Sequence, residues 1–340
     1  MNLIECDNNE VLSEDIYDLE GSVLVGKNAS ITPYIIEKLE SSRIMSVPVY
    51  PSIDETSGTN DLNFNGVYKE GVLALKEIIN CLVIGEDIDS EQIKEISNTL
   101  YEEIQNNNLI LDQIKKFKSE NKYTYNHSVN VALYSLLIGK WIGLNEIEMK
   151  KVVKAGLLHD IGKTKIAPEI ISKKGKLTKK EFETIKTHSE IGYEMSKAIP
   201  NIDEDVRQAI LSHHEREDGS GYPCGLKGNK INLYAKILAI ADVYDALTSE
   251  RVYKDKSTPF EAIEEFRKMG MHSFDIKILN VFFKSIIQYY VNSKVKTNNG
   301  EVGEIVFIPP NDITKPVIRL ENSYVELSRN SNIKIVEIVS

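Results

Sequence analysis

Five of the six histidines in this 340-residue chain recur at near-regular intervals along one helical block. His127, His159, His188, the pair His213-His214 and then Asp242 follow one another at 32, 29, 25 and 28 residues. Each interval accommodates one helix and its connection. Successive helices packed round a common cavity would therefore each deliver one station to it. Helical bundles build metal centres in this way, from inward-facing side chains on neighbouring helices. From residue 67 to about 290 the apolar periodicity is almost wholly helical. Ile93, Ile96, Leu100 and Ile104 recur at spacings of three and four, and Thr178 to Glu181 reads as a capping box opening another helix. The core is expected to be an all-α bundle.

The flanks read differently. Residues 1–64 are expected to form a small α+β N-terminal domain, regulatory or dimerising, ending in a linker. Residues 23–25 and 45–50 read as strands, and Thr32-Pro33 reads as a helix cap with proline at the first position. Residues 51–63 lack any period and read as the linker. Residues 65–117 are expected to be connecting helices, and residues 118–292 the helical region that carries the histidine stations. Residues 293–340 form a small β C-terminal appendage, with strands expected over 302–308, 317–320, 324–327 and 333–338. The architecture is thus multi-domain.

Lys plus Arg number 41 against 51 Asp plus Glu, a net charge of −10. That disfavours a broad nucleic-acid-binding surface, which depends on neutralising phosphates, but leaves room for a small cationic pocket. Cys6, Cys81 and Cys224 share no paired spacing, which points to a reducing compartment. No leader sequence or membrane-spanning stretch is visible, so a cytoplasmic location without membrane contact is expected.

The donor types narrow the chemistry. Imidazole and carboxylate without thiolate suit Fe, Mn or Zn and disfavour a Cys-rich structural zinc. Five imidazoles with Asp160 and Asp242 exceed the needs of one ion. Two ions bridged by Asp160 and a hydroxide would use them, activating water and clamping the oxygens of a phosphoester. Taken singly, His188 beside Ile185 and Ile191 is more often a core residue; the combination is what argues for a site. Lys163, three residues after Asp160, is expected on the same helical face, where an ammonium beside cations calls for an anion such as a substrate phosphate. Arg251 and Lys254 offer a bidentate and a point-charge phosphate contact. Gly219 and Gly221 permit the tight loop 218–223, from which Tyr222 would project to stack on a base or hold a phosphate.

His159-Asp160-Ile-Gly-Lys163 and His213-His214-Glu215-Arg-Glu-Asp218-Gly-Ser-Gly221-Tyr222-Pro223 resemble the two signatures of the HD-GYP family. The segment from Ala241-Asp242 to Arg251-Val-Tyr-Lys254 is similar to the one that follows them. The likeness covers about residues 118–292, roughly half the chain, and implies that this region is the catalytic domain. It implies an HD-type helical bundle that hydrolyses cyclic di-GMP to linear pGpG, and in many members onward to GMP. It further implies that His127, His159, Asp160, His188, His213, His214 and Asp242 ligate a dinuclear Fe or Mn centre. Asp160 and Lys163 then serve catalysis, and Lys163, Arg251 and Lys254 match phosphate-contacting positions. Some members bind a third ion through a glutamate four residues before the first histidine. That position here is Tyr123, so two ions are expected. Alternative readings keep the site but take 3′,3′-cyclic GMP-AMP, or make the fold a catalytically silent dinucleotide-binding signalling adaptor. A homodimer or a signalling partner fits either.

Overall fold

Thr32 ends an extended stretch and starts the first helix: its hydroxyl accepts from the Ile35 amide at 3.3 Å, and Pro33 needs no amide partner there. The structure, a computed structural model, describes the chain apart from residues 1–2, 4–9, 19, 28, 51–59, 87–89, 107–113, 115–122, 250–256, 322, 331 and 340. It divides into two units, one of residues 1–57, 257–265 and 283–340, the other of residues 58–256 and 266–282.

The first unit joins both ends of the chain. Strands β1 (Ile16–Tyr17) and β2 (Val23–Val25) pair antiparallel, and α1 (Pro33–Ser41) follows. Strands β3 (Lys294–Thr297), β4 (Val302–Phe307), β5 (Val317–Leu320), β6 (Ser323–Glu326) and β7 (Ile335–Val339) form an antiparallel sheet in the order β6-β5-β4-β3-β7. Leu12, Val25, Ile35 and Leu39 share one apolar core with Val306, Phe307 and Val317. Each such buried side chain contributes about 1.5–3 kcal/mol. Thr32 also donates to the Val306 carbonyl at 3.0 Å, tying the helix start to β4. The N-terminal α+β segment and the C-terminal β segment are therefore two halves of one folded body. Residues 45–50 do not form the expected strand. Val49 makes an isolated bridge with Leu12, and Pro48 has no amide to continue a ladder.

The second unit is the helical bundle: α2 (Asn60–Ile84), α3 (Ser90–Asn106), α4 (Tyr123–Ile142), α5 (Glu146–Leu158), α6 (Pro168–Ile171), α7 (Lys179–Lys186), α8 (His188–Ser196), α9 (Glu204–Ser212) and α10 (Leu233–Thr248). Helices α11 (Pro259–Met269) and α12 (Ile276–Gln288) come after. Helix α2 begins at Asn60, inside the stretch whose composition reads as linker. Asn145 and Glu148 cap α5 reciprocally, as Thr178 and Glu181 cap α7. Helices α4 and α5 approach closely at Gly156, where a methyl group would lie 2.6 Å from the Ala132 Cα. The rings of Tyr134, Tyr244 and Phe282 meet edge to face at 5.1 and 5.0 Å, fixing α10 against α4. Among the described residues, no helix is long and apolar enough to cross a membrane.

Candidate metal centre

Helix α4 supplies His127, the end of α5 supplies His159, and Asp160 follows at once. His188 opens α8, His213 and His214 follow α9, and Asp242 lies on α10. All seven side chains converge. Their donor atoms fall into three groups, each within 4.8 Å: His127, His159 and Asp242; His188, His213 and His214; and His159, Asp160 and His213.

The outward-facing ring nitrogens explain the convergence. His159, His188 and His213 each donate Nδ1–H to the carbonyl three residues earlier, at Gly156 (2.8 Å), Ile185 (2.6 Å) and Ile210 (2.7 Å). A carbonyl only accepts, so the proton is on Nδ1 and the Nε2 lone pair faces the centre. His127 does the same against the Asp245 carboxylate at 2.7 Å. Asp160 lies between the groups. Its Oδ2 is 3.4 Å from His159 Nε2 and 3.7 Å from His127 Nε2, while its Oδ1 is 3.5 Å from His188 Nε2. Asp242 Oδ1 stands 3.2 Å from His127 Nε2.

Burial would raise the carboxyls of Asp160 and Asp242, but the surrounding imidazoles, with Lys163 beside Asp160, outweigh it and hold both well below the usual carboxylate range. Burial and neighbouring imidazoles push His213 far down, and burial takes His214 to about 3. Burial also works to lower His127, yet its hydrogen bonds to Asp242 and Asp245 prevail and lift it to about 9, so a bound ion would displace the Nε2 proton that otherwise faces Asp242.

These residues fit divalent ions. His159 Nε2 and Asp160 Oδ1 are buried without a hydrogen-bond partner among the described residues, a costly state unless something else binds them. His188 Nε2 and His213 Nε2 are 3.3 Å apart. Two nitrogens on one ion at ~2.1 Å, subtending roughly 90–110°, are separated by about that much.

Lys163 reaches Asp160 by a route other than the expected one. Helix α5 ends at Leu158, and residues 161–165 form a 3₁₀ turn. Residues three apart eclipse in that geometry, so Lys163 Nζ sits 2.5 Å from Asp160 Oδ2. Gly162 lets the turn press on the start of α8, because a methyl group there would overlap the His188 carbonyl oxygen. Tyr222 stacks on His214 with centroids 4.7 Å apart, and Lys186 Nζ lies 5.6 Å from its ring centre. Arg251 and Lys254 lie outside the described residues.

Two residues escaped the sequence reading. Asp245, buried behind His127, follows Asp242 by three residues, a helical spacing that could have flagged it. Glu215, next to His214, is buried and accepts from the amides of Cys224 at 2.7 Å and Leu226 at 2.9 Å, fastening the loop that carries Tyr222.

Residues 106–278 match the HD domain family, about half of the chain, and the chain belongs to that family. The likeness of its two motifs to the HD-GYP signatures agrees with its relatives. Cyclic di-GMP phosphodiesterase PA4108 of Pseudomonas aeruginosa is 33% identical over 223 residues, 66% of this chain and 54% of that protein. The 3'3'-cGAMP-specific phosphodiesterase 1 of Vibrio cholerae is 35% identical over 191 residues, 56% of this chain and 43% of that protein. The chain spans about half the length of the curated relatives it matches. Among solved structures, Bd1817, an HDG"Y"P protein from Bdellovibrio bacteriovorus, is similar with a TM-score of 0.55 over 83% of this chain and 97% of that one. At 14% identity that is a likeness of fold.

Proposed function

We propose that this chain is a metal-dependent phosphodiesterase that cleaves cyclic di-GMP to linear pGpG, with seven buried and half-buried donors holding two divalent ions, Fe or Mn. The observation that carries this reading is the position of Asp160, which turns one carboxylate oxygen towards each histidine group. The relatives named for cyclic dinucleotide hydrolysis support the substrate class. Such an ion pair supplies Lewis acidity and a water deprotonated at neutral pH.

The chain's own residues do the rest. Backbone carbonyls and Asp245 lock the imidazoles so that Nε2 lone pairs face inward. Lys163, half-open to solvent beside Asp160, neutralises the phosphate oxygens and steadies charge as the ester bond breaks. Tyr222 forms a flat aromatic rim against which a nucleobase stacks. Arg251 and Lys254 are assigned the remaining phosphate contacts on their place in the motif. A second reading, with 3′,3′-cyclic GMP-AMP as substrate, has the same backbone phosphates and is favoured by the likeness to the Vibrio cholerae protein.

The test is an anaerobic incubation of the Fe(II)- or Mn(II)-loaded chain with each dinucleotide, the products separated by chromatography. From cyclic di-GMP the expected product is pGpG, or GMP after it; from cyclic GMP-AMP it would be a linear dinucleotide of one guanosine and one adenosine, and the two rates rank the substrates. No linear product from either dinucleotide refutes the proposal; tight binding without turnover would make the chain an adaptor instead.

A further inference from the structure

His159, His188 and His213 are each steadied by a carbonyl on their own chain segment, whereas His127 is held across the bundle. Its Nδ1 donates to Asp245 Oδ2 on α10, and the other Asp245 oxygen accepts from Ser249 Oγ at 3.1 Å. The carboxylate is fully buried. Helix α4, which carries His127, is braced from a third direction. The buried Tyr68 of α2 places its hydroxyl 2.8 Å from Asn130 Oδ1 and 3.4 Å from the Asn126 carbonyl, one residue before His127. Helix α2 precedes the segment that matches the HD domain family.

We infer that Asp245 is a positioning residue for His127 that makes the group of His127, His159 and Asp242 the tighter of two ion-binding groups, with Tyr68 extending the brace to a helix upstream of the family domain. The inference rests on the metal-dependent reading above. A carbonyl offers a dipole, but a carboxylate offers a full negative charge to the ring that donates to it. An imidazole so backed is a richer donor at Nε2 and is fixed in orientation by two helices at once. The charges add to this difference. The first group has Asp242 in contact, Asp160 Oδ2 alongside and Asp245 behind. Of these carboxylates, the group of His188, His213 and His214 has Asp160 Oδ1 against His188. A dication therefore fills the first group before the second.

The full chain, stripped of metal, is titrated with Mn(II) while free Mn(II) is followed by paramagnetic resonance. Two binding steps are expected. Asp245→Ala weakens the tighter step about 10–100-fold and leaves the other as it was, the scale typical of lost outer-sphere partners. Asp245→Asn recovers part of the loss, because its amide oxygen still accepts from Nδ1. Tyr68→Phe, which keeps the ring in the core, weakens the same step by a smaller factor. The inference is overturned when Asp245→Ala binds both ions as the unaltered chain does, or when both steps weaken together. An unaltered chain that binds no Mn(II) overturns this and the metal-dependent reading alike. The expected pattern in a chain that turns over neither dinucleotide supports the inference while the phosphodiesterase reading fails.

Discussion

His188 Nε2 and His213 Nε2 face each other across 3.3 Å of buried space, and neither carries a proton, because each ring gives its Nδ1–H to a carbonyl. Two lone pairs so placed repel. A cation held between them, as proposed above, would turn that repulsion into attraction.

The first prediction concerns stability. Mn(II) at about 100 times its dissociation constant stabilises the folded chain by about 2.7 kcal/mol per site. For a domain of this size that raises the melting temperature by roughly 5–10 °C. Scanning calorimetry with Mn(II), and then with a chelator in excess, measures it. An unmoved transition would remove the metal centre from consideration.

Gly162→Ala is expected to damage the site through the backbone. The added methyl group meets the His188 carbonyl and the Gly192 amide, which belong to main chain and cannot swing aside. Overpacking of this kind costs about 1–3 kcal/mol, and the shift separates Asp160 from His188. Denaturant midpoints and metal content after dialysis are the readouts. Wild-type values for both would show that the close approach is not needed.

Lys163→Met keeps the length of the side chain and deletes its charge. Its ammonium touches Asp160 but is not a metal donor, so both ions should still bind. Loss of one electrostatic stabiliser costs about 10²–10³ in kcat. Steady-state kinetics beside a metal assay separate the two effects, and unchanged kcat would exclude Lys163 from the chemistry.

Glu215→Ala should free the Tyr222 loop. It removes the acceptor for the Cys224 and Leu226 amides, costing about 1–3 kcal/mol. KM for the dinucleotide should rise more than kcat falls, since Tyr222 forms the rim while the donors stay on their helices. Glu215→Gln, which can still accept, should lie between. Equal losses in kcat with KM unchanged would contradict this role.

The convergence of these seven side chains was legible because they come as five stations on successive helices or helix ends, and helical periodicity is a local signal that survives in the primary structure. Lys163 was found near Asp160 for a different reason from the one its spacing suggested: a 3₁₀ turn, not a continued α-helix, brings them together. Asp245 and Glu215 were missed because their worth lies in what they touch across the fold, at His127 and at the Cys224 amide. Strand β3 was also missed; four residues, Lys-Val-Lys-Thr, are too few to establish an alternation until β4 and β7 flank them. The union of the two chain ends was equally invisible, since nothing near Ile35 in sequence announces Phe307 as its neighbour.

That union has a consequence for biosynthesis. As the polypeptide leaves the ribosome, Leu12, Ile35 and Leu39 emerge some 270 residues before the β4 side chains that will cover them. At translation speeds of about 5–20 residues per second, this early segment waits for roughly a quarter to one minute without its partner. The helical domain can mature in the interval, so the residues around Leu12 and Ile35, made before it, become native after it.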